Sequence, residues 1–299
     1  MAERKKIASP TISSARRKFL TELAETTAED YCAELAQVDP ALILDQNDVT
    51  ISYGNYGPHF DGMLHHENGE FHVYCNEERC GPRQEGRAHF TLAHELGHFL
   101  IPEHNAALRN GVAPSHPSFC NKPNAKLYVE VEADFFASRV LMPEARFGAL
   151  SMQADTSLSS MCKIASDLGT SLQSTALRYQ DSLTHPCAFV VWREGKEPWF
   201  GVSAALRILG FIFIKRNINL IEGSATAVTL ASAIPAIQNI RQSISVMSQW
   251  FPNVVSGSES DVPIREEAMK TTYATLTWLS LDSTSLDKLR KDRSEYVRS

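Results

Sequence analysis

The string Ala93-His94-Glu95-Leu96-Gly97-His98 lies inside a mostly apolar stretch, Phe90 to Ile101, that is closed by Pro102. A run of this kind is expected to be a buried helix. Two imidazoles and a carboxylate are costly in such a place unless they bind something or pair with one another. On a helix, His94 and His98 stand four residues apart and share one face, close enough to grip a single ion. Neutral imidazole is a good zinc ligand, and three protein ligands plus a water make the catalytic arrangement. Glu95 sits about a third of a turn round from His94, where it reaches a water on the ion rather than the ion itself. It suits a general base that takes a proton from water whose pKa zinc lowers to roughly 7, then hands that proton to a leaving amine.

A His-Glu-x-x-His string recurs by chance in roughly one chain in forty of this composition, so the site needs a third ligand from another element. The segment from about Ala125 to Leu141, stopped by Pro143, has the pattern of a second helix and contains Glu130-Val131-Glu132-Ala133-Asp134. Glu130, Asp134, Ala137 and Leu141 share one face at helical spacing, with the small Ala133 beside them. That face can lie against the first helix, while Glu132 points about 200 degrees away from Glu130. Glu130 is therefore assigned as the ligand and Asp134 as the carboxylate that orients one histidine. Glu132 is the rival ligand. The alternative, acids that merely solvate an exposed face, fits poorly with Phe135, Phe136, Val140 and Leu141. His, His and Glu suit zinc, with manganese or another divalent ion also compatible.

A chain of 299 residues with 43% hydrophobic and 21% charged residues is a globular protein of two or three domains. Its net charge of -6 offers no bulk attraction to phosphate backbones or anionic membranes. No apolar run follows Arg4, Lys5 and Lys6 as a secretory leader would require, and Ile208 to Ile214 is far shorter than a membrane span. The cysteines lack a C-x-x-C pair and read as reduced thiols, so a cytoplasmic location is expected. Cys75 and Cys80 with His72 could make a metal half-site, but buried free thiols are the commoner outcome.

Helical spacing is expected from Ala15 to Ala36, ending at Asp39-Pro40. Val49 to Tyr53 and Phe71 to Cys75 read as strands of a small antiparallel sheet, with turns at Gly54 to Pro58 and Asn68-Gly69. Pro102 to Pro123 reads as a long loop. Thr156 to Ser182 offers two short helices around Gly169. After His185-Pro186, Ala188 to Trp192, Trp199 to Val202 and Ile208 to Ile214 read as strands. The expected division is 1-150, 151-184 and 185-299.

The string Phe90 to His98, followed by Glu130-x-x-Ala133-Asp134-x-Phe136-Ala137 and Leu141-Met142-Pro143, resembles the ImmA/IrrE family of zinc metallopeptidases, strongly over about residues 70 to 145. The resemblance implies an α+β fold with a minimal gluzincin-like (zincin-like) peptidase core and a helix-turn-helix-like segment after it. It implies cleavage of a helix-turn-helix transcriptional repressor as the protein substrate, in mobile-element induction or, for the IrrE branch of Deinococcus, in the response to radiation and desiccation. That branch adds a GAF-like C-terminal domain, so residues 185-299 are expected to be a GAF-like α/β domain open to a small-molecule or redox signal.

The segment Ile164 to Leu172 has the Ala, Gly and polar-cap pattern of a helix-turn-helix. Gln173, Ser174 and Arg178 could face a groove, but one basic residue in that helix argues against direct DNA binding. The rival function is nevertheless a DNA-binding regulator with a peptidase-like fold. Phe71 to Cys75 is read as an edge strand that could add a substrate strand. His65 and His66 read as residues of a polar turn. His104 and His116 are candidate transition-state stabilisers.

Overall fold

The computed structural model describes residues 11–81, 86–112, 118, 127–233, 239–254, 262–272 and 274–296. His116, Cys120 and Arg4 to Lys6 lie outside the described residues. The chain divides into two compact units, Met1–Leu150 with Ala165–Ser171, and Ser151–Ile164 with Leu172–Ser299. Residues 151–184 are thus shared between the units. No helix among the described residues is long and apolar enough to cross a membrane.

In the first unit, α1 (Ser14–Cys32) starts where the Ser13 side chain accepts from Arg16 N, and it buries Leu20, Ala24, Thr27 and Ala28 along one stripe. The helix ends at Cys32, short of the expected stop at Asp39-Pro40, which instead begins the next helix: Asp39 caps α2 (Pro40–Asp45) by accepting from Ala41 N and Leu42 N, with Pro40 in the first turn. Three strands follow, β1 (Thr50–Gly54), β2 (Gly62–Glu67) and β3 (Glu70–Asn76), in the order β1-β3-β2. β2 and β3 form a hairpin whose turn holds Asn68 at φ 55 and Gly69 at φ 90, the left-handed pair that a two-residue hairpin needs.

The sheet corrects three expectations. It is mixed rather than antiparallel, because β2 occupies the hairpin position beside β3 and leaves β1 to pair with β3 in parallel, Ile51 opposite Val73. For the same reason Phe71 to Cys75 is central and not an edge. His65 and His66 lie on the edge strand β2 rather than in a turn, with the His66 ring against Phe71 at 4.6 Å.

After the short α3 (Glu77–Cys80), helix α4 (Gly86–Leu100) carries the His-Glu-x-x-His string. Pro102 does not open a long loop. It stands in the first turn of a new helix, α5 (Pro102–Arg109), after a single extended residue, Ile101. Helix α6 (Tyr128–Leu141) begins at Tyr128, with Leu127 extended before it, and packs on both α4 and α1. Leu92, Ala93 and Leu96 of α4, Phe136, Ala137 and Val140 of α6, Leu20 and Ala24 of α1, and Leu64, Phe71 and Val73 of the sheet form one core. Gly97 permits a close approach of α6 to α4, since a Cβ there would lie 3.1 Å from Phe136 Cδ1 and 3.4 Å from Ala133 Cα.

Helices α7 (Glu144–Gln153), α8 (Leu158–Asp167) and α9 (Leu172–Arg178) come next, with Gly169 at φ 63 in the turn between α8 and α9. The second unit is built on β4 (Cys187–Trp192), β5 (Trp199–Val202), β6 (Arg241–Val246), β7 (Pro263–Lys270) and β8 (Thr275–Ser280), an antiparallel sheet in the order β5-β4-β8-β7-β6. Helices α10 (Ala204–Ile208), α11 (Ala225–Ala231), α12 (Met247–Trp250) and α13 (Ser283–Tyr296) complete it. Residues Ile208 to Ile214 are not a strand: α10 ends at Ile208, and only Phe211 and Ile214 of the segment that follows are buried. One core gathers Val190, Phe211, Trp250, Ile264 and Leu279. Tyr179, Phe189 and Trp278 form an aromatic group, with Tyr179 edge-on to Trp278 at 5.2 Å and Phe189 stacked on Trp278 at 6.4 Å.

The mixed α+β architecture expected from the sequence is present in both units.

Candidate metal centre

Helix α4 buries its polar string almost completely, with His94, Glu95 and His98 exposed by 2%, 1% and 2%. The cause is local. Leu92, Ala93 and Leu96 pull the helix into the core, Gly97 lets α6 come close, and the four-residue spacing then turns both imidazoles toward α6. Glu130 and Asp134 have the same spacing on α6, so the two pairs meet.

Glu130 Oε2 lies 3.4 Å from His94 Nε2, and Glu130 Oε1 lies 3.3 Å from His98 Nε2. The two Nε2 atoms are 3.1 Å apart. One donor atom from each of His94, His98 and Glu130 falls within 4.8 Å of the others, and this is the cluster of metal-ligating type among the described residues. Behind it, Asp134 Oδ1 accepts from His94 Nδ1 at 3.0 Å, which places the hydrogen on Nδ1 and leaves the Nε2 lone pair facing the cluster. Burial opposes a charge on His94, but Asp134 and Glu130 hold its pKa well above the ordinary histidine range, with further help from Glu95. The surroundings therefore favour positive charge at this point. Two imidazole nitrogens and a carboxylate aimed at one place, in a field that favours a cation, fit a divalent ion.

Glu95 turns the other way, toward the sheet, and accepts from the Ser118 hydroxyl. Ser118 is pinned across the start of β2, since its N donates to Gly62 O at 2.9 Å and Asp61 N donates to Ser118 O at 2.8 Å. Gly62 makes the space for the carboxylate, because a Cβ there would stand 2.7 Å from Glu95 Oε1 and 2.5 Å from Thr91 Cγ2. Asp61, fully buried beside it, takes Arg79 Nε at 2.6 Å and an Arg87 nitrogen at 3.1 Å.

Glu132 lies outside the three-residue cluster. Its carboxylate accepts from Arg16 Nε at 2.7 Å and a second Arg16 nitrogen at 2.8 Å, and it meets His104 Nε2 at 3.1 Å. Burial raises its pKa, but the Arg16 guanidinium outweighs this and holds the acid below its ordinary range. His104 likewise sits behind the cluster rather than at its mouth, with its Nδ1 3.2 Å from His98 Nδ1. Burial, helped by the electrostatic influence of His98, pushes the His104 pKa down to about 4, so this ring is neutral at pH 7.

The half-site of Cys75, Cys80 and His72 does not form. His72 is held by the hydroxyls of Thr50 at 2.5 Å and Ser52 at 2.9 Å, whereas Cys80 lies buried against Thr91 Oγ1 at 3.3 Å. In α9, Ser174 and Arg178 are buried, Arg178 faces Asp181, and Gln173 accepts from Arg193 at 2.8 Å. Sequence reading missed Arg16, Gly62 and Ser118. Only Gly62 carried a usable signal, as a glycine opening an alternating stretch.

Residues 83–180 match the family profile described as the IrrE N-terminal-like domain, peptidase family M78. A search of curated proteins gives no match. Among solved structures, the chain is similar to a Mycobacterium tuberculosis transcriptional regulator, with a TM-score of 0.53, 12% identity and 92% of each chain covered. That likeness concerns the fold.

Proposed function

We propose, from the match of residues 83–180 to the IrrE N-terminal-like domain of peptidase family M78, that this chain is a zinc-dependent endopeptidase. Its substrate on this reading is a specific protein in the cytoplasm, a helix-turn-helix transcriptional repressor whose cleavage induces a stress response of the radiation or DNA-damage type. The observation that carries the reading is the convergence of His94, His98 and Glu130 within 4.8 Å, with Glu95 next to His94 on the same helix.

His94, His98 and Glu130 hold the ion, and Asp134 fixes the His94 tautomer. When bound, the ion supplies Lewis acidity that polarises a scissile carbonyl and lowers the pKa of a nearby water. Glu95 takes the proton of the attacking water and passes it to the leaving amine. Gly62 leaves its carboxylate room to do so, and burial in α4 keeps bulk water from competing. The antiparallel five-stranded sheet of the second unit supports reading it as a GAF-like sensor domain that responds to a small-molecule or redox signal.

A second reading, a DNA-binding regulator that retains the peptidase fold, draws on the α8-turn-α9 segment. The burial of Ser174 and Arg178 weighs against it. Incubating zinc-loaded chain with repressors encoded near it tests the first reading: a discrete cleavage product that disappears with Glu95→Gln supports it, and no product from any of them, or unchanged cleavage with Glu95→Gln, overturns it. A salt-sensitive gel shift without cleavage would favour the second.

A further inference from the structure

The outer nitrogens of His94 and His98 are held differently. His94 Nδ1 faces a carboxylate, whereas His98 Nδ1 faces another ring nitrogen, His104 Nδ1, at 3.2 Å. A hydrogen between two ring nitrogens belongs to only one of them. For His98 to present the Nε2 lone pair toward Glu130, its Nδ1 must carry the hydrogen and donate it. His104 must then accept at Nδ1 and carry its own hydrogen on Nε2, the atom that meets Glu132 Oε2 at 3.1 Å.

Glu132 is fixed as a pure acceptor, because its two oxygens take the paired nitrogens of Arg16 at 2.7 and 2.8 Å. Arg16 also clasps Glu103, on the same helix as His104, at 3.1 and 2.9 Å. His104 and Glu132 are exposed by only 5% and 2%, so little water reaches the links. Each hydrogen in the chain has one allowed position, and that position leaves His98 with its lone pair toward the cluster.

We propose that His104, Glu132 and Arg16 form a positioning relay that sets the tautomer and aim of His98, and so tightens the hold of the His94, His98 and Glu130 site on a divalent ion. The inference rests on the metal-site reading above and adds to it three residues drawn from α1, α5 and α6. It accounts for Glu132 as an acid that serves the site from behind. It also makes α1, far away in sequence, part of the metal site.

Glu132→Gln probes the relay without changing its shape. An amide has one oxygen where the carboxylate has two, and all three donors around it need an oxygen. If the amide NH2 turns to His104, the His104 hydrogen must move to Nδ1, and His98 then loses its donor role and its free Nε2. The measurement is zinc affinity by chelator competition on the full chain, for wild type, Glu132→Gln, His104→Asn and His104→Leu, with thermal melting of each metal-stripped form alongside. Zinc affinity is expected to fall about 10- to 100-fold in Glu132→Gln and His104→Leu. His104→Asn, whose Oδ1 can still accept from His98, is expected to lose less. Wild-type affinity in Glu132→Gln and His104→Leu, with only the metal-free melt lowered, would mean these residues serve the fold alone and would overturn the relay. If His104→Leu does not fold, Glu132→Gln decides. If the wild-type chain takes up no zinc, the metal-site reading itself fails, whereas uptake by wild type matched by the variants sinks only the relay.

Discussion

Both units partner acids inside the fold, Glu266 and Glu267 fully buried in the second and Glu130 and Asp134 half-buried in the first, and they do so in opposite ways. In the second unit, Glu266 and Glu267 are neighbours on β7 and are exposed by 1% and 0%. Successive residues of a strand point to opposite faces, and each acid ends on the start of a helix: Glu266 Oε1 accepts from Thr226 N at 2.8 Å in α11, and Glu267 Oε2 accepts from Leu158 N at 2.9 Å in α8, with Gln242 adding 3.0 Å. These are backbone donors that nothing else in a helix's first turn satisfies. In the first unit, Glu130 and Asp134 meet imidazoles instead, and the imidazoles meet each other. A buried acid that closes a helix end completes the fold, whereas half-buried acids that converge on buried imidazoles leave a cation to be supplied. Burial alone does not mark a site; the identity of the partner does.

The largest effect that separates the two regions is expected at Glu95. Glu95→Gln keeps the shape and removes the base, so the cleavage rate should fall about 10²- to 10⁴-fold while zinc affinity and melting temperature stay close to wild type. A rate within a few-fold of wild type in a peptidase assay would remove Glu95 from the chemistry.

Next in size is Asp134→Asn, which leaves His94 without its charged partner. A loss of about 10- to 100-fold in zinc affinity is expected by chelator competition, and affinity equal to wild type would show that the His94 tautomer is fixed by something else.

Smaller again is a pH effect with a definite sign. The folded, metal-free chain holds His94 above its ordinary pKa, so His94 stabilises that form fully below the unfolded value of about 6.5 and the contribution is lost as pH rises through the folded pKa. Zinc competes with the same proton. Zinc should therefore raise the melting temperature by a larger margin at pH 8 than at pH 6, and a margin that shrinks as pH rises would contradict the assignment.

The smallest effect is expected on the other side of the comparison. Burial raises the Glu267 pKa, and Glu267→Gln keeps an oxygen for Leu158 N while relieving a buried charge. Chemical denaturation should find a change within about 1 kcal/mol, with zinc affinity unaltered. A large loss would mean that the charge itself holds the second unit together.

Much of the centre was legible because it lies in two short stretches with helical spacing. His94, Glu95 and His98 announce α4, and Glu130 and Asp134 announce α6. The structure brings His94, His98 and Glu130 together and leaves Glu132 out, as the spacing along α6 implied. What was not legible depends on distant partners. Arg16 and Glu132 are separated by 116 positions, and no local pattern ties them. β2 was missed because His65-His66-Glu67 reads as polar surface, which an edge strand tolerates and a central one does not. α5 was missed because Pro102 reads equally as a stop and as a start. In the second unit, Ile208 to Ile214 has the composition of a strand, but α10 takes its first residue, the pairing positions beside β7 go to β6 and β8, and those beside β4 go to β5 and β8.

The most direct test is the zinc content of metal-stripped chain after equilibrium dialysis against zinc, for wild type, Glu130→Gln and Glu267→Gln. One zinc ion per chain is expected in wild type and in Glu267→Gln, with most of it lost in Glu130→Gln. No zinc in wild type, or an equal amount in all three, would contradict the claim that His94, His98 and Glu130 hold the metal.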